Sequence, residues 1–138
     1  MTILGRYEPW GRLGSGGMSE VWLARHATLG LPVVLKTLRP DVAARTTSAP
    51  ELMRTTARLM GRVSAPQAVR VLDLGTDVVD RDEGVAVPCL VEEYVDGLDL
   101  AELDARRRDA VGRPMPLFVV ADLVAQAAMG LHAAHQAG

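Results

Sequence analysis

The chain is poor in aromatic side chains and has no large excess of charge of either sign. Aromatic residues make up only 4% of its 138 residues, although 49% are apolar, so a core must be built from Val, Leu, Ala and Met. Its 15 basic and 17 acidic side chains give a formal net charge of -2. This balance argues against a nucleic-acid or anionic membrane surface, and we expect no nucleic-acid partner.

Cysteine and long hydrophobic runs are also scarce. The single cysteine, Cys89, cannot form an internal disulfide, which fits a reducing cytoplasm. Polar residues at positions 6–8 come too early to leave room for the apolar core of a signal peptide. The longest apolar stretch near the C-terminus, residues 114–121, ends at Asp122 and is too short to span a bilayer. We therefore predict a cytoplasmic chain without a membrane segment.

The hydrophobic pattern predicts strands and helices in a definite order. We predict strands at 7–13, 20–26 and 32–38, a loop at 39–49, a helix at 51–63, strands at 68–74 and 85–91, and helices at 99–109 and 117–136. An acidic turn through Asp77, Asp80, Asp82 and Glu83 joins the last two strands. This order indicates an α+β fold with an antiparallel sheet.

A glycine-rich turn between the first two strands is the strongest functional signal. It comprises, with its flanks, Leu13, Gly14, Ser15, Gly16, Gly17, Ser19 and Val21. A turn with few Cβ atoms lets several backbone N–H groups approach one anion. The third strand then ends its apolar run, which includes Val34, on Lys36. A lysine returning towards the turn would supply a positive charge beside that anion.

The glycine turn has three alternative interpretations. A hairpin turn without a ligand is as plausible as a binding loop when the turn is taken alone. A dinucleotide-binding fingerprint requires the glycines to open a helix, whereas residues 20–23 have strand character. A Walker P-loop requires Gly-Lys-Ser/Thr, which does not occur in the chain.

The glycine turn, Lys36 and the segment 90–97 together resemble the nucleotide-binding half of bacterial serine/threonine protein kinases, over about residues 7–138. The resemblance implies a kinase-like small lobe at 1–95, with a five-stranded antiparallel sheet, one helix and the hinge. Two helices of a truncated large lobe would follow at 96–138. It also implies ATP as ligand, Mg²⁺ in a complete kinase domain, and a protein substrate or partner protein.

The resemblance assigns roles to particular residues. Gly14 and Gly16 match the first two loop glycines, Ser19 replaces the third, and Val21 covers the adenine. Lys36 would contact the α- and β-phosphates. In the hinge, the Glu93 carbonyl and the Val95 backbone would bond the base edge. Asp99 matches a residue that reaches the ribose hydroxyls, although capping of the following helix explains it better.

Two positions depart from the family pattern. The helix glutamate that normally holds the lysine falls at Thr56, and Glu51 lies five residues earlier, on another side of the helix. Glu92 occupies the gatekeeper position, where an apolar residue is usual, as a sign either of decay or of a replacement counter-ion. We predict that Glu92 pairs with Lys36. The alternatives are that Glu92 points into solvent and that Lys36 extends to water.

The sequence of 138 residues does not contain the kinase catalytic-loop motif or the Asp-Phe-Gly motif. We therefore expect an ATP-binding portion of a kinase that is inactive alone and binds ATP weakly. The alternative is a pseudokinase-like module that senses nucleotide or binds a partner. The last helix should expose an apolar stripe and favour self-association. That stripe comprises Leu117, Val120, Leu123, Val124, Ala127, Ala128 and Leu131.

Overall fold

A computed structural model describes residues 2–78 and 84–138 of the chain. Its strands are β1 Tyr7–Ser15, β2 Ser19–His26, β3 Pro32–Leu38, β4 Val71–Val78 and β5 Ala86–Glu93. Its helices are α1 Pro40–Arg45, α2 Ala49–Met60, α3 Leu100–Val111 and α4 Leu117–Ala137. The expected α+β arrangement is confirmed.

The five strands form one sheet in the order β1-β2-β3-β5-β4, and every neighbouring pair is antiparallel. Because side chains alternate along a strand, each strand divides between the two faces of the sheet. On β3, Val33 and Leu35 are buried on one face, together with Val91 of β5. Lys36 lies on the opposite face, on the side of α2.

The N-terminal segment covers the face of the sheet opposite α2. Ile3 is fully buried, and the Leu4 N–H donates a hydrogen bond of 2.6 Å to the Asp77 carboxylate. Leu4 packs so closely on Gly75 that a Cβ there would lie 2.5 Å from Leu4 Cδ2. This segment therefore completes the core beneath the sheet.

The loop predicted for residues 39–49 is wrong, because most of it forms α1. Pro40 occupies the first turn, where its fixed φ suits a helix and its missing N–H is not needed. Asp41 and Arg45, one turn apart, form an ion pair of 2.6 Å. Two helices, α1 and α2, therefore lie between β3 and β4, where one helix was predicted.

Several other boundaries also shift. α2 begins at Ala49 and ends at Met60, whereas 51–63 was predicted, because Pro50 is accepted in the first turn and Gly61 follows the last residue. β4 lies at Val71–Val78 instead of 68–74, where its ladder with β5 places it. Of the predicted acidic turn, Asp77 belongs to β4, and Asp80, Asp82 and Glu83 lie outside the described residues.

α4 is longer than the apolar stretch recognised in the sequence. It has 21 residues and continues past Asp122. By length and composition alone, this helix could cross a membrane. The core helix of a soluble protein satisfies the same test, so this is weak evidence. Gly130 is the one residue of α4 that is buried, and a Cβ there would lie 3.1 Å from the Gln67 carbonyl oxygen.

Candidate functional site

The glycine-rich turn is the tip of the β1–β2 hairpin. Gly14 pairs with Val21, and the Gly16 N–H donates to the Ser19 carbonyl at 2.8 Å. A Cβ added to Gly14 or Gly17 would meet no atom within 4 Å, so packing within the chain does not require glycine there. The bare backbone instead faces open space, which suits the close approach of a bulky anion such as a triphosphate.

Lys36 is brought next to this hairpin by the strand register. It pairs with Val21 of β2 on one side and with Leu90 of β5 on the other. It is the only lysine in the sequence, where every other member of the 15 lysines and arginines is an arginine. A lysine ammonium is a compact point charge, whereas a guanidinium is a planar fork. The one side-chain ammonium group of the sequence therefore lies at this position.

The Lys36 ammonium and the Glu92 carboxylate form an ion pair with an Nζ–Oε2 distance of 2.7 Å. The Glu92 side chain is 13% exposed and that of Lys36 is 38% exposed. This confirms the predicted pairing and excludes a Glu92 side chain directed into solvent. The two residues are diagonal neighbours across the β3–β5 ladder, a separation that long side chains can bridge.

The ion pair lies in the wall of a cavity of about 420 Å³ between the sheet and α2. The rest of the lining is mainly apolar: Met18, Ser19, Leu38, Ala49, Leu52, Met53, Thr56, Met60 and Leu90. This cavity was not predicted from the sequence. The apolar spacing of α2 predicts a buried helix face, but not how closely that face approaches the sheet.

α2 contributes no carboxylate to this cavity. Thr56 lines it, at the position where the family glutamate was expected. The Glu51 side chain is 62% exposed and interacts with Arg54 at 3.7 Å and with Arg58 at 3.3 Å. Glu92 is the only acidic residue among those lining the cavity in the described structure. The predicted absence of an α2–Lys36 ion pair is confirmed.

The segment after β5 is fixed by Glu93, through contacts that sequence reasoning missed. Its carboxylate accepts hydrogen bonds from the Arg70 N–H at 2.9 Å and the Arg70 Nε at 3.0 Å. These bonds lower the pKa of the Glu93 carboxyl below its ordinary value. Val95 is 61% exposed, and its N–H and carbonyl have no backbone partner in the part of the chain described. A contact between the Val95 backbone and a ligand stays a prediction.

Asp99 is the N-cap of α3. Its carboxylate accepts a hydrogen bond of 2.8 Å from the Glu102 N–H, which confirms the capping interpretation. A contact between Asp99 and a ribose stays a prediction. No group of three or more His, Cys, Asp or Glu residues suited to a metal ion occurs within residues 2–78 and 84–138.

The chain is similar over its whole length to bacterial serine/threonine kinases. A probable serine/threonine-protein kinase of Corynebacterium efficiens is 39% identical over 137 residues, covering 99% of this chain and 19% of the relative. A serine/threonine-protein kinase of Myxococcus xanthus is 36% identical over 138 residues, covering 100% of this chain and 15% of the relative. No protein-family model matches the chain.

The crystal structure of the Mycobacterium tuberculosis PknI kinase domain has a similar fold. The TM-score is 0.75 at 28% sequence identity, and the match covers 100% of this chain and 50% of that one. The sheet with its helices is therefore the small lobe of a protein kinase, followed by two further helices. The chain belongs to the bacterial Hanks-type serine/threonine protein kinases and spans about a fifth or less of the length of these two curated relatives.

Proposed function

We propose that this chain is the ATP-binding portion of a serine/threonine protein kinase that transfers the γ-phosphate of ATP to protein hydroxyls. The observation that carries this proposal is the placement of the single lysine. Lys36 lies beside the glycine hairpin, and its ammonium is 2.7 Å from a carboxylate. A positive charge fixed next to bare backbone is what a triphosphate requires.

The phosphates would lie along the hairpin, where backbone N–H groups of the glycine turn and the Lys36 ammonium neutralise their charge. The base would lie deeper in the cleft, between the two lobes. Its edge would bond the Glu93 carbonyl and the Val95 backbone, and Asp99 would reach the ribose. The adenine would be enclosed by apolar side chains, namely Leu13, Val21 and Val34.

The remaining requirements of phosphoryl transfer would be met outside these residues. In a complete kinase domain, Mg²⁺ bound with ATP neutralises charge on the transferred phosphoryl group. The substrate would be a protein hydroxyl, and the location cytoplasmic. Lys36 is the residue of this chain that we assign to the reaction itself, through its contact with the phosphates.

A non-catalytic module that senses nucleotide or binds a partner is the second candidate. It is favoured by Thr56, which replaces the usual helix carboxylate, and by Ser19, which replaces a loop glycine. The coding sequence downstream of Gly138 separates the two candidates. Intact catalytic-loop and Asp-Phe-Gly motifs would support the enzyme, and degenerate motifs would support the module.

Calorimetric titration of the whole chain with ATP tests the binding proposal. We expect weak binding that changes little with Mg²⁺ and is abolished by Lys36→Met. Arg45→Met is the matched control, because it also removes one positive charge, but from a side chain that is 73% exposed on α1. Equal binding by parent and Lys36→Met would contradict the proposal. Tight Mg²⁺-dependent binding would contradict the expectation that this portion of a kinase binds ATP weakly by itself.

A further inference from the structure

The position of Lys36 is set within the sheet, with no contribution from a helix carboxylate. β3 and β5 are joined by a continuous antiparallel ladder in which Lys36 pairs with Leu90 and Val34 pairs with Glu92. The lysine and the glutamate therefore project from the same face, two residues apart along the ladder. Their 2.7 Å contact depends on the register of these two strands.

α2 supplies no charged partner to the Lys36–Glu92 pair in the described structure. Its only carboxylate, Glu51, interacts with two arginines of α2 itself. Thr56 occupies the position of the family glutamate and lines the cavity, but it carries no charge. A displacement of α2 would change the volume of the cavity without removing the counter-ion of Lys36.

The charges at the two sites have been exchanged. Compared with the family pattern, position 56 on the helix lacks a carboxylate and position 92 on the strand carries one, and both residues line the same cavity. The pairing matters most for Glu92, which is the more buried of the two side chains. An uncompensated Glu92 would place a charge in a side chain that is 13% exposed, and Lys36 without Glu92 would have no carboxylate within that cavity.

We propose that Glu92 is the positioning residue for Lys36, so that the nucleotide-binding lysine is held by the sheet and is independent of the position of α2. This rests on the proposed nucleotide-binding function for the meaning of the lysine, but the interaction itself exists without nucleotide. A carboxylate moved from Glu92 to position 56, which lines the same cavity, would instead hold the lysine through α2.

The single lysine allows a direct test by nuclear magnetic resonance. Selective ¹³C-lysine labelling of the whole chain reports one side chain, Lys36. When the side chain is held, its two ε-methylene protons occupy different environments and have separate chemical shifts. We expect separate shifts in the parent, collapse to one shift in Glu92→Gln, and recovery in the double variant Glu92→Gln/Thr56→Glu.

Glu51→Gln is the matched control, since it removes the carboxylate of α2 itself, and the lysine signals should not change. Amide spectra establish that each variant is folded. If Glu92→Gln does not fold, Glu92→Asp keeps the charge but shortens its reach, and the shift separation should then decrease.

Unchanged lysine signals in the Glu92 variant would overturn the proposal. All these spectra are recorded without ATP, so a chain that failed to bind nucleotide would disprove the proposed function while leaving the role of Glu92 measurable.

Discussion

The sheet region (residues 3–93) and the helical region (α3 and α4) differ in what they bury. Every residue of the buried hydrophobic core described here belongs to the sheet region, from Ile3 to Val91. α3 has no buried residue, and α4 has Gly130 alone. The sheet region therefore carries its own core.

Within the helical region, α4 is apolar but largely exposed. Leu117 is 83% exposed and Phe118 is 77% exposed, and Val124 and Leu131 on the predicted stripe are also exposed. Contiguous exposed apolar faces mark surfaces that contact other protein. The comparison indicates that the sheet region has the buried core needed for a stable fold, whereas α3 and α4 bury almost nothing of their own.

The largest expected contrast concerns the reactivity of Cys89. Burial raises the pKa of its thiol to about 12, so at pH 8 almost none of it is the reactive thiolate. An ordinary thiol has a pKa of about 8.5. We expect alkylation of the folded chain to be about a thousandfold slower than that of the chain in denaturant, as followed by intact mass. Similar rates in the two states would show that the sheet region opens readily.

One leucine-to-alanine substitution in each region compares what the two regions contribute to the free energy of unfolding. Leu35 is fully buried on β3, so Leu35→Ala should lower the free energy of unfolding by about 2–5 kcal/mol. Leu117→Ala on α4 should change it by no more than about 0.5 kcal/mol, because that side chain is already in solvent. Urea denaturation followed by circular dichroism measures both. Equal effects would remove the distinction between the regions.

The exposed stripe of α4 should cause self-association. Replacing Val124 and Leu131 by glutamate places two charges on it and should weaken association by about 1.5–3 kcal/mol for each apolar side chain lost from a contact. Light scattering over a concentration series measures this, with Ala125→Glu as an exposed control on the same helix. A parent chain that is monomeric at high concentration and binds no hydrophobic dye would refute the expectation.

The smallest expected effect is the loss of stability when the Lys36–Glu92 ion pair is removed. Glu92→Met should destabilise the chain by about 1 kcal/mol, because the pair is only partly buried and Lys36 can still reach water. Thermal unfolding of this variant beside Glu51→Gln, which affects only exposed ion pairs, isolates the contribution. A Glu92→Met chain as stable as the parent would indicate a pair without net energetic value.

Much of the sheet region could be predicted from the sequence, because its signals are local. Strand propensity around the glycine turn gave β1, β2 and β3 to within two residues. The Lys36–Glu92 pair could be predicted because two departures from the family pattern were complementary in charge. α1 was missed although Pro40 and the Asp41–Arg45 spacing are helix signals, since a proline after a strand also suggests a loop.

The features that were not predicted depend on distant parts of the chain. Glu93 and Arg70 are 23 positions apart, and nothing local to either indicates their contact. The same holds for Leu4 and Asp77, 73 positions apart. The cavity beneath α2 depends on how far the helix lies from the sheet, which periodicity does not specify. Such contacts require the three-dimensional arrangement.

We propose above all that the sheet region, with the segment that follows β5, forms a nucleotide-binding cleft. Amide chemical-shift mapping with ¹⁵N-labelled chain and ATP tests it most directly, with Lys36→Met as the negative control. We predict ATP-dependent shifts at Gly14, Gly16 and Ser19 of the hairpin and at Val95, all lost in the Lys36 variant. Absence of shifts at these residues in the parent, or the same shifts in Lys36→Met, would contradict the claim.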